Sequence, residues 1–432
     1  MEGKTMSAAN NNSVLNIPAF WKAQKQDWRV TVIRTSLERL GYKMVLPYLT
    51  LYIIMLGATK TQYGFINSLG MVMGGILAPV IGAVIDSKGP KRVYVFGILI
   101  LIGGYLALAC ANIWQVAALG LFLHAMGQRL SGQSCATICG NCLANCDRAK
   151  GMLVCESLAA GILGMVGPML SGWILVNMMK VNGTPTDPNS IRPLFWAAFI
   201  FAVISLLIVI FKLSFNTWGT VKAKKQSNMI LDGLAIIKAD KNCRKWMLIA
   251  AVGGMPMAMV TPYVQVYAAE FKAADAATLA GMVTATALTS VLLGYFMGII
   301  SDRYGRKPVL FTTIALYLAG LVLLITTKRI PLLLFVGMLQ GFQEIGATVA
   351  GSIGHELVPH RIMGRWIGAT SMFTSLFSAL MAAVSGIIYD NIGAHWVFIL
   401  YIVCELVIRV PLLISLPETL RHPVDESKFA NI

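Results

Sequence analysis

The stretch Gly82-Ala83-Val84-Ile85-Asp86-Ser87-Lys88-Gly89-Pro90-Lys91-Arg92 closes one long apolar run and opens the next. It reads as a tight charged turn between two membrane-length segments. About 216 positions later the arrangement returns as Gly298-Ile299-Ile300-Ser301-Asp302-Arg303-Tyr304-Gly305-Arg306-Lys307-Pro308, again between apolar runs. The same spacing at equivalent places in two halves marks a duplicated chain. The first Gly of each copy permits close helix approach and the second supplies a left-handed turn. The Asp is positioned to cap or to pair with a base.

Composition agrees. Of 432 residues, 57% are hydrophobic and 12% charged, against about 25% charged in a soluble domain. Apolar runs long enough to span a bilayer, roughly 20 residues each, occur near 31–57, 62–85, 93–112, 115–142, 150–178, 193–213, 245–269, 275–301, 308–327, 331–354, 364–389 and 394–416. The net charge of +16 first suggests nucleic acid, but the cations are one-sided. Only Lys60, Lys180, Arg192, Lys272, Lys328 and Arg329 fall in alternate loops; the others lie on the side of both termini or within the spans, which predicts cytoplasmic termini and no nucleic-acid partner. Residues 1–30 are polar and contain no cleavable signal, so the first span serves for targeting. The expected organisation is a tail at 1–30, a six-helix bundle at 31–213, a basic connector at 214–244, a second bundle at 245–416 and a tail at 417–432.

The pattern Gly-x-x-x-Asp-x-x-Gly with following bases, between the second and third spans of each half, resembles the signature loop of the major facilitator superfamily. The resemblance extends over nearly the whole chain. It implies an all-α membrane protein of twelve helices in two pseudo-symmetric six-helix bundles, rocking to expose a central cavity alternately to each side. Gly82, Asp86, Gly89, Lys91, Arg92 and Gly298, Asp302, Gly305, Arg306, Lys307 are then gating-loop residues. They are expected to latch the cytoplasmic ends by exchanging partners with the turns Asp147-Arg148 and His360-Arg361.

Within the spans, polar residues mark the cavity. The first carries Arg34, Glu38, Arg39 and Lys43 before Leu46-Pro47-Tyr48-Leu49-Thr50-Leu51-Tyr52, echoed by Thr261-Pro262-Tyr263-Val264-Gln265-Val266-Tyr267. A proline bends a membrane helix and suits one that lines a cavity. Tyr48, Tyr52, Tyr263, Gln265 and Tyr267 are therefore substrate-cavity candidates. The fourth span contributes His124, Gln128, Arg129 and Gln133, and its counterpart Gln340, Gln343 and Glu344. Intramembrane charges mark functional sites by default, since each costs several kcal/mol unless it faces water or a partner. Arg129 with Gln133 resembles the family's fourth-helix motif, which implies proton relay. Arg129 and Glu344 are expected at matched depth, facing across the cavity. Proton-coupling candidates are Glu38, Arg129, Glu344 and Glu405. Arg34, Arg39 and Lys43 read equally well as cations snorkelling to the inner surface.

In the fifth span, Gly164, Gly167, Pro168 and Gly172 resemble the Gly-Pro-x-x-Gly-Gly motif of the family's proton antiporters, with Ser171 in place of one Gly. Asn182-Gly183-Thr184 has glycosylation spacing, and Pro417-Glu418-Thr419 resembles an ending found in several transporter families.

Other constellations fall away. The eight Cys form no disulfide framework. Cys135, Cys139, Cys142 and Cys146 face one way on a single helix, which cannot wrap one ion, so packing and no metal is expected. His355 and His360 lie five apart across Pro359, unlike a zinc-protease helix. No phosphate-binding Gly-rich loop is present, so neither nucleotide nor other cofactor is implied. The favoured reading is a monomeric cell-membrane transporter, exporting a small organic solute in exchange for protons. Uptake or exchange of an organic anion, favoured by the cations of the first half, is the alternative. A non-transporting receptor or scaffold on the same fold is the rival from another class; an enzyme is excluded for want of a nucleophile-base or metal constellation.

Overall fold

The computed structural model describes residues 17–143, 155, 160–214, 235–327, 329–359 and 362–419. The Asp86 side chain, Cys146, Asp147, Arg148, His360, Arg361 and most of the connector lie outside the described residues. Twelve long helices follow one another: α1 Gln26–Met55, α2 Lys60–Lys88, α3 Pro90–Cys110, α4 Trp114–Cys142, α5 Gly161–Met178, α6 Pro188–Lys212, α7 Lys241–Lys272, α8 Ala276–Tyr304, α9 Arg306–Thr326, α10 Ile330–Glu356, α11 Met363–Asn391 and α12 Ala394–Ile414. Nine are both long and apolar enough to cross a membrane. The others, α1, α2 and α4, run 30, 29 and 29 residues, about 43–45 Å at 1.5 Å per residue, again enough to span.

Local chemistry explains where the helices begin and turn. Thr59 and Gln62 form a reciprocal capping box at the start of α2. Asp275 caps α8 by accepting the Thr278 N–H at 2.8 Å. Gly89 and Gly305 have φ of 82° and 114°, so each signature loop turns through a conformation that a side chain would strain. Among the described residues, π-helical turns interrupt the rods at Ile174–Met178, Pro256–Val260 and Glu405–Arg409.

Within the first half α3 packs on α4, and α1 on α5 and α6; within the second, α8 and α9 pack on α10, and α7 on α11. The halves meet along α2 against α11 and α5 against α8. These two seams exchange under the pseudo-two-fold relation of the halves. Large apolar side chains such as Phe96, Trp173, Phe211 and Leu380 are exposed on the outer surface, as a protein solvated by acyl chains requires. An even number of spans puts both termini at one end, here called the termini end; the opposite is the far end.

The far end is sealed. Tyr48 donates to the Ala276 carbonyl at 2.7 Å, and Tyr263 to the Lys60 carbonyl at 3.1 Å. Lys60 pairs with Glu270 at 3.0 Å, and Thr61 donates through both N–H and hydroxyl to Asp390 at 2.7 Å. Gly64 and Gly386 let α2 and α11 touch backbone to backbone: a Cβ at either would meet a carbonyl oxygen at 2.6 or 2.5 Å. Toward the termini end Gly82, Gly132, Gly298 and Gly351 have nothing within 4 Å of a Cβ position. The close approach expected at Gly82 and Gly298 is therefore not made in this conformation, because those surfaces stand beside open space.

Candidate functional site

At mid-depth one ion pair joins the halves. Lys43 Nζ of α1 lies 3.4 Å from Glu344 Oε1 of α10, with side-chain exposures of 16% and 41%. Lys43 sits about 12 residues below the far end of α1 and Glu344 about 14 along α10, roughly 18 and 21 Å, so both reach the bilayer centre. The pairing corrects the expectation that Arg129 opposes Glu344. Arg129 is exposed, and its stem lies over Gly74 of α2, where a Cβ would meet Nε at 2.8 Å. Lys43 escaped notice as a snorkelling cation, although counting turns from the far end puts it level with Glu344. Gly164 borders it, a Cβ there falling at an ordinary contact distance of 3.6 Å from Lys43 Cγ.

Three buried amides are without a use in the fold. Gln133 Oε1, Gln265 Oε1 and Gln340 Nε2 are buried and have no hydrogen-bond partner among the described residues. An orphaned buried amide costs about 1–3 kcal/mol, so these three are available to a ligand. Gln343 instead lines a void of about 20 Å³ beside Arg409, with room for about one water.

Each half also buries a private cluster. In the first, Arg34 lies 3.7 Å from Glu38, whose other oxygen accepts from Gln128. His124 meets the Tyr105 hydroxyl at 3.2 Å and stacks on Tyr42 at 5.1 Å. Arg34 is thus buried under the Tyr94 ring, 4.9 Å from its centre, rather than snorkelling. Only Arg39 of that group is exposed. In the second half Glu405, fully buried, pairs with Arg409 at 2.7 Å and accepts from Tyr401 at 2.9 Å. Gly253 of α7 admits the guanidinium, since a Cβ there would fall 2.6 Å from Nη2.

The repeated tyrosines are spent elsewhere. Tyr48 and Tyr263 hold the far-end seal, and Tyr52 donates to Leu108 at 2.8 Å. Tyr267 is buried against Phe271 and Phe398. Tyr48, Tyr52 and Tyr263 thus commit their hydroxyls to main-chain carbonyls, because the duplicated bend sits near the far end rather than at mid-depth. Lys60, Thr61, Glu270 and Asp390, which complete the seal, carry no pattern that singles them out in sequence.

The loop bases also have fixed partners. Lys91 is buried and donates to the Ile210 and Leu213 carbonyls at the end of α6. Its equivalent Lys307 donates to Ile414 and Leu416 at the end of α12, at 3.1 and 2.6 Å. Arg92 stays exposed. Arg306 binds Asp302 and, at 3.1 Å, Glu356. Glu418 accepts the Arg306 and Lys307 N–H groups at 2.9 and 3.0 Å, so the Pro-Glu-Thr ending caps α9. On α5, Gly167 lies on the α1 backbone, where a Cβ would meet the Leu40 carbonyl at 2.8 Å, and Gly172 lies against Ala280 of α8 at 2.9 Å. Pro168 accepts the Ser171 hydroxyl at 2.8 Å. The motif therefore binds α5 to both halves beside Lys43.

A family model described as Major Facilitator Superfamily matches residues 32–281 and 246–430. The chain is 20% identical over 384 residues to the class H tetracycline resistance protein of Pasteurella multocida, covering 85% of this chain and 90% of the relative. It is 24% identical over 353 residues to the multidrug resistance protein MdtG of Yersinia enterocolitica, covering 75% and 77%. Among solved structures, the nucleoside transporter NupG superposes with a TM-score of 0.68 at 15% identity, over 91% of this chain and 99% of that one.

Proposed function

The chain belongs to the Major Facilitator Superfamily, and on that premise we propose that it exports a small organic solute in exchange for protons by alternating access. It is a multi-pass membrane transporter, not an enzyme. The observation that carries the finer reading is the Lys43–Glu344 pair, the mid-depth bond between the halves. Its charge attraction is lost when Glu344 is neutral. A proton on Glu344 releases Lys43 and with it one tie between α1 and α10, so proton occupancy and conformation are linked. Gln133, Gln265 and Gln340, whose amides are orphaned, are the candidate solute contacts along the path between the two ends. Relatives named for tetracycline and multidrug resistance support export. The far end faces outward from the cell membrane and the termini end is cytoplasmic, a reading that the one-sided cations support. The bundles 31–213 and 245–416 rock about the connector 214–244 as one monomeric unit. Gly82 and Gly298 close against the opposite half when the termini end shuts.

The decisive measurement is transport in proteoliposomes with a pH-sensitive dye. Glu344→Gln should lose proton-coupled solute flux by about tenfold or more, one order being about 1.4 kcal/mol, while solute exchange persists. Undiminished proton movement in that variant rejects the coupling role, and inward movement of an anionic solute without protons rejects export. Orientation is tested separately: a single Cys within 178–192 should react with an impermeant reagent outside cells, and one within 214–244 should not.

A further inference from the structure

Cys135 and Cys139 stand one turn apart on α4, and Cys155, from the stretch leading into α5, lies against them. The three sulfurs are within 4.8 Å of one another, and all three are buried. That one helix cannot surround an ion was the ground for expecting only packing here; a third thiol from another element removes it.

Beside the thiols sits a cation whose hydrogen bonds are unfilled. Arg34 is 2% exposed and within electrostatic reach of Cys135. Its Nη1 leans on Glu38 at 3.7 Å, but Nε and Nη2 have no hydrogen-bond partner among the described residues. Neutral thiols are weak acceptors and do not repay the burial of a guanidinium. Three thiolates around a divalent ion carry one net negative charge and do. The Thr35 hydroxyl, 3.5 Å from Cys135 Sγ, adds a polar group to the same wall.

We propose that Cys135, Cys139 and Cys155 form a binding site for a soft divalent ion of the zinc and cadmium kind, with Arg34 as counter-charge. Thiolate ligands select such ions over hard ones. Binding exchanges three S–H bonds for three metal–sulfur bonds and releases three protons; no electron is transferred. The ion ties Cys155 to α4 beside α1, and the site does not include the Lys43–Glu344 pair.

The test uses the purified full-length chain in detergent. Titration with Cd²⁺ alone is followed by thiolate-to-cadmium charge-transfer absorption, and Zn²⁺ retained after desalting is counted by elemental analysis. A stoichiometric band is expected, lost in Cys135→Ala, Cys139→Ala and Cys155→Ala and kept in Cys243→Ala and Cys404→Ala. Arg34→Gln should weaken binding about tenfold without changing stoichiometry. Should the Cys variants not fold, the wild type decides. Cd²⁺ must then shield these three thiols, and not the exposed Cys110, from N-ethylmaleimide. A wild type without the band, a band that survives Cys139→Ala, or shielding that ignores the three thiols each overturns the proposal.

Discussion

In the first half Lys91 reaches across the signature loop to the carbonyls that end α6; in the second Lys307 does the same for α12. The ions each half buries follow no such rule. The first half carries its pair on its opening helix, with Arg34 and Glu38 3.7 Å apart and two guanidinium nitrogens unfilled. The second carries its pair on its closing helix, with Glu405 and Arg409 at 2.7 Å and Tyr401 completing the carboxylate. Both halves keep the main-chain fastening at their turn, while their buried ion pairs differ in place and in tightness. We read the tight, well-bonded pair as structural and the loose one, bonded to Gln128, as the one that can respond.

The largest expected effect follows directly. Glu405→Ala leaves Arg409 buried and unpaired, costing about 3–5 kcal/mol. A thermal melt in detergent should register a deep loss of stability, with the surviving folded fraction still transporting; a melt unchanged from wild type would erase the contrast between the halves. Glu38→Gln should do the opposite, cutting transport while moving the melt less. Next come the loop lysines. Lys91→Met should cost about 2 kcal/mol and the less buried Lys307→Met about 1, hydrogen bonds from charged groups being worth roughly 1.5–3 before exposure is discounted. Equal losses would mean that burial does not distinguish the two loops. Smallest are Tyr48→Phe and Tyr263→Phe, each removing one far-end bond worth about 1 kcal/mol. Each should raise labelling of a single far-end cysteine about fivefold, and matching increases would show that the two bonds share the load.

Most of the fold was legible because it is written in runs. Twelve apolar stretches, two glycine turns and a cation count require no knowledge of packing, and the helices overlap the predicted spans in order. The site was less legible for a geometric reason. Matching positions by the repeat pairs α4 with α10, and so paired Arg129 with Glu344; contact across the seam instead joins α10 to α1, where Lys43 waits. The repeat likewise singled out the four tyrosines as cavity residues, but shared ancestry marks a shared role and does not say which. Cys155 became relevant only once the structure set it against Cys135 and Cys139 of α4, a closure that spacing along one helix cannot reveal.

Tyr48 and Tyr263 each donate to a main-chain oxygen at the first residue of the partner helix. Every amino acid supplies that oxygen, so no substitution at 276 can delete the acceptor, and at 60 only the additional Glu270 pair is at stake. A saturation scan of the far end should therefore read as lopsided: rigid demand at the two donors, broad tolerance at Ala276, and a heritable closure that sequence drift can break from one side only.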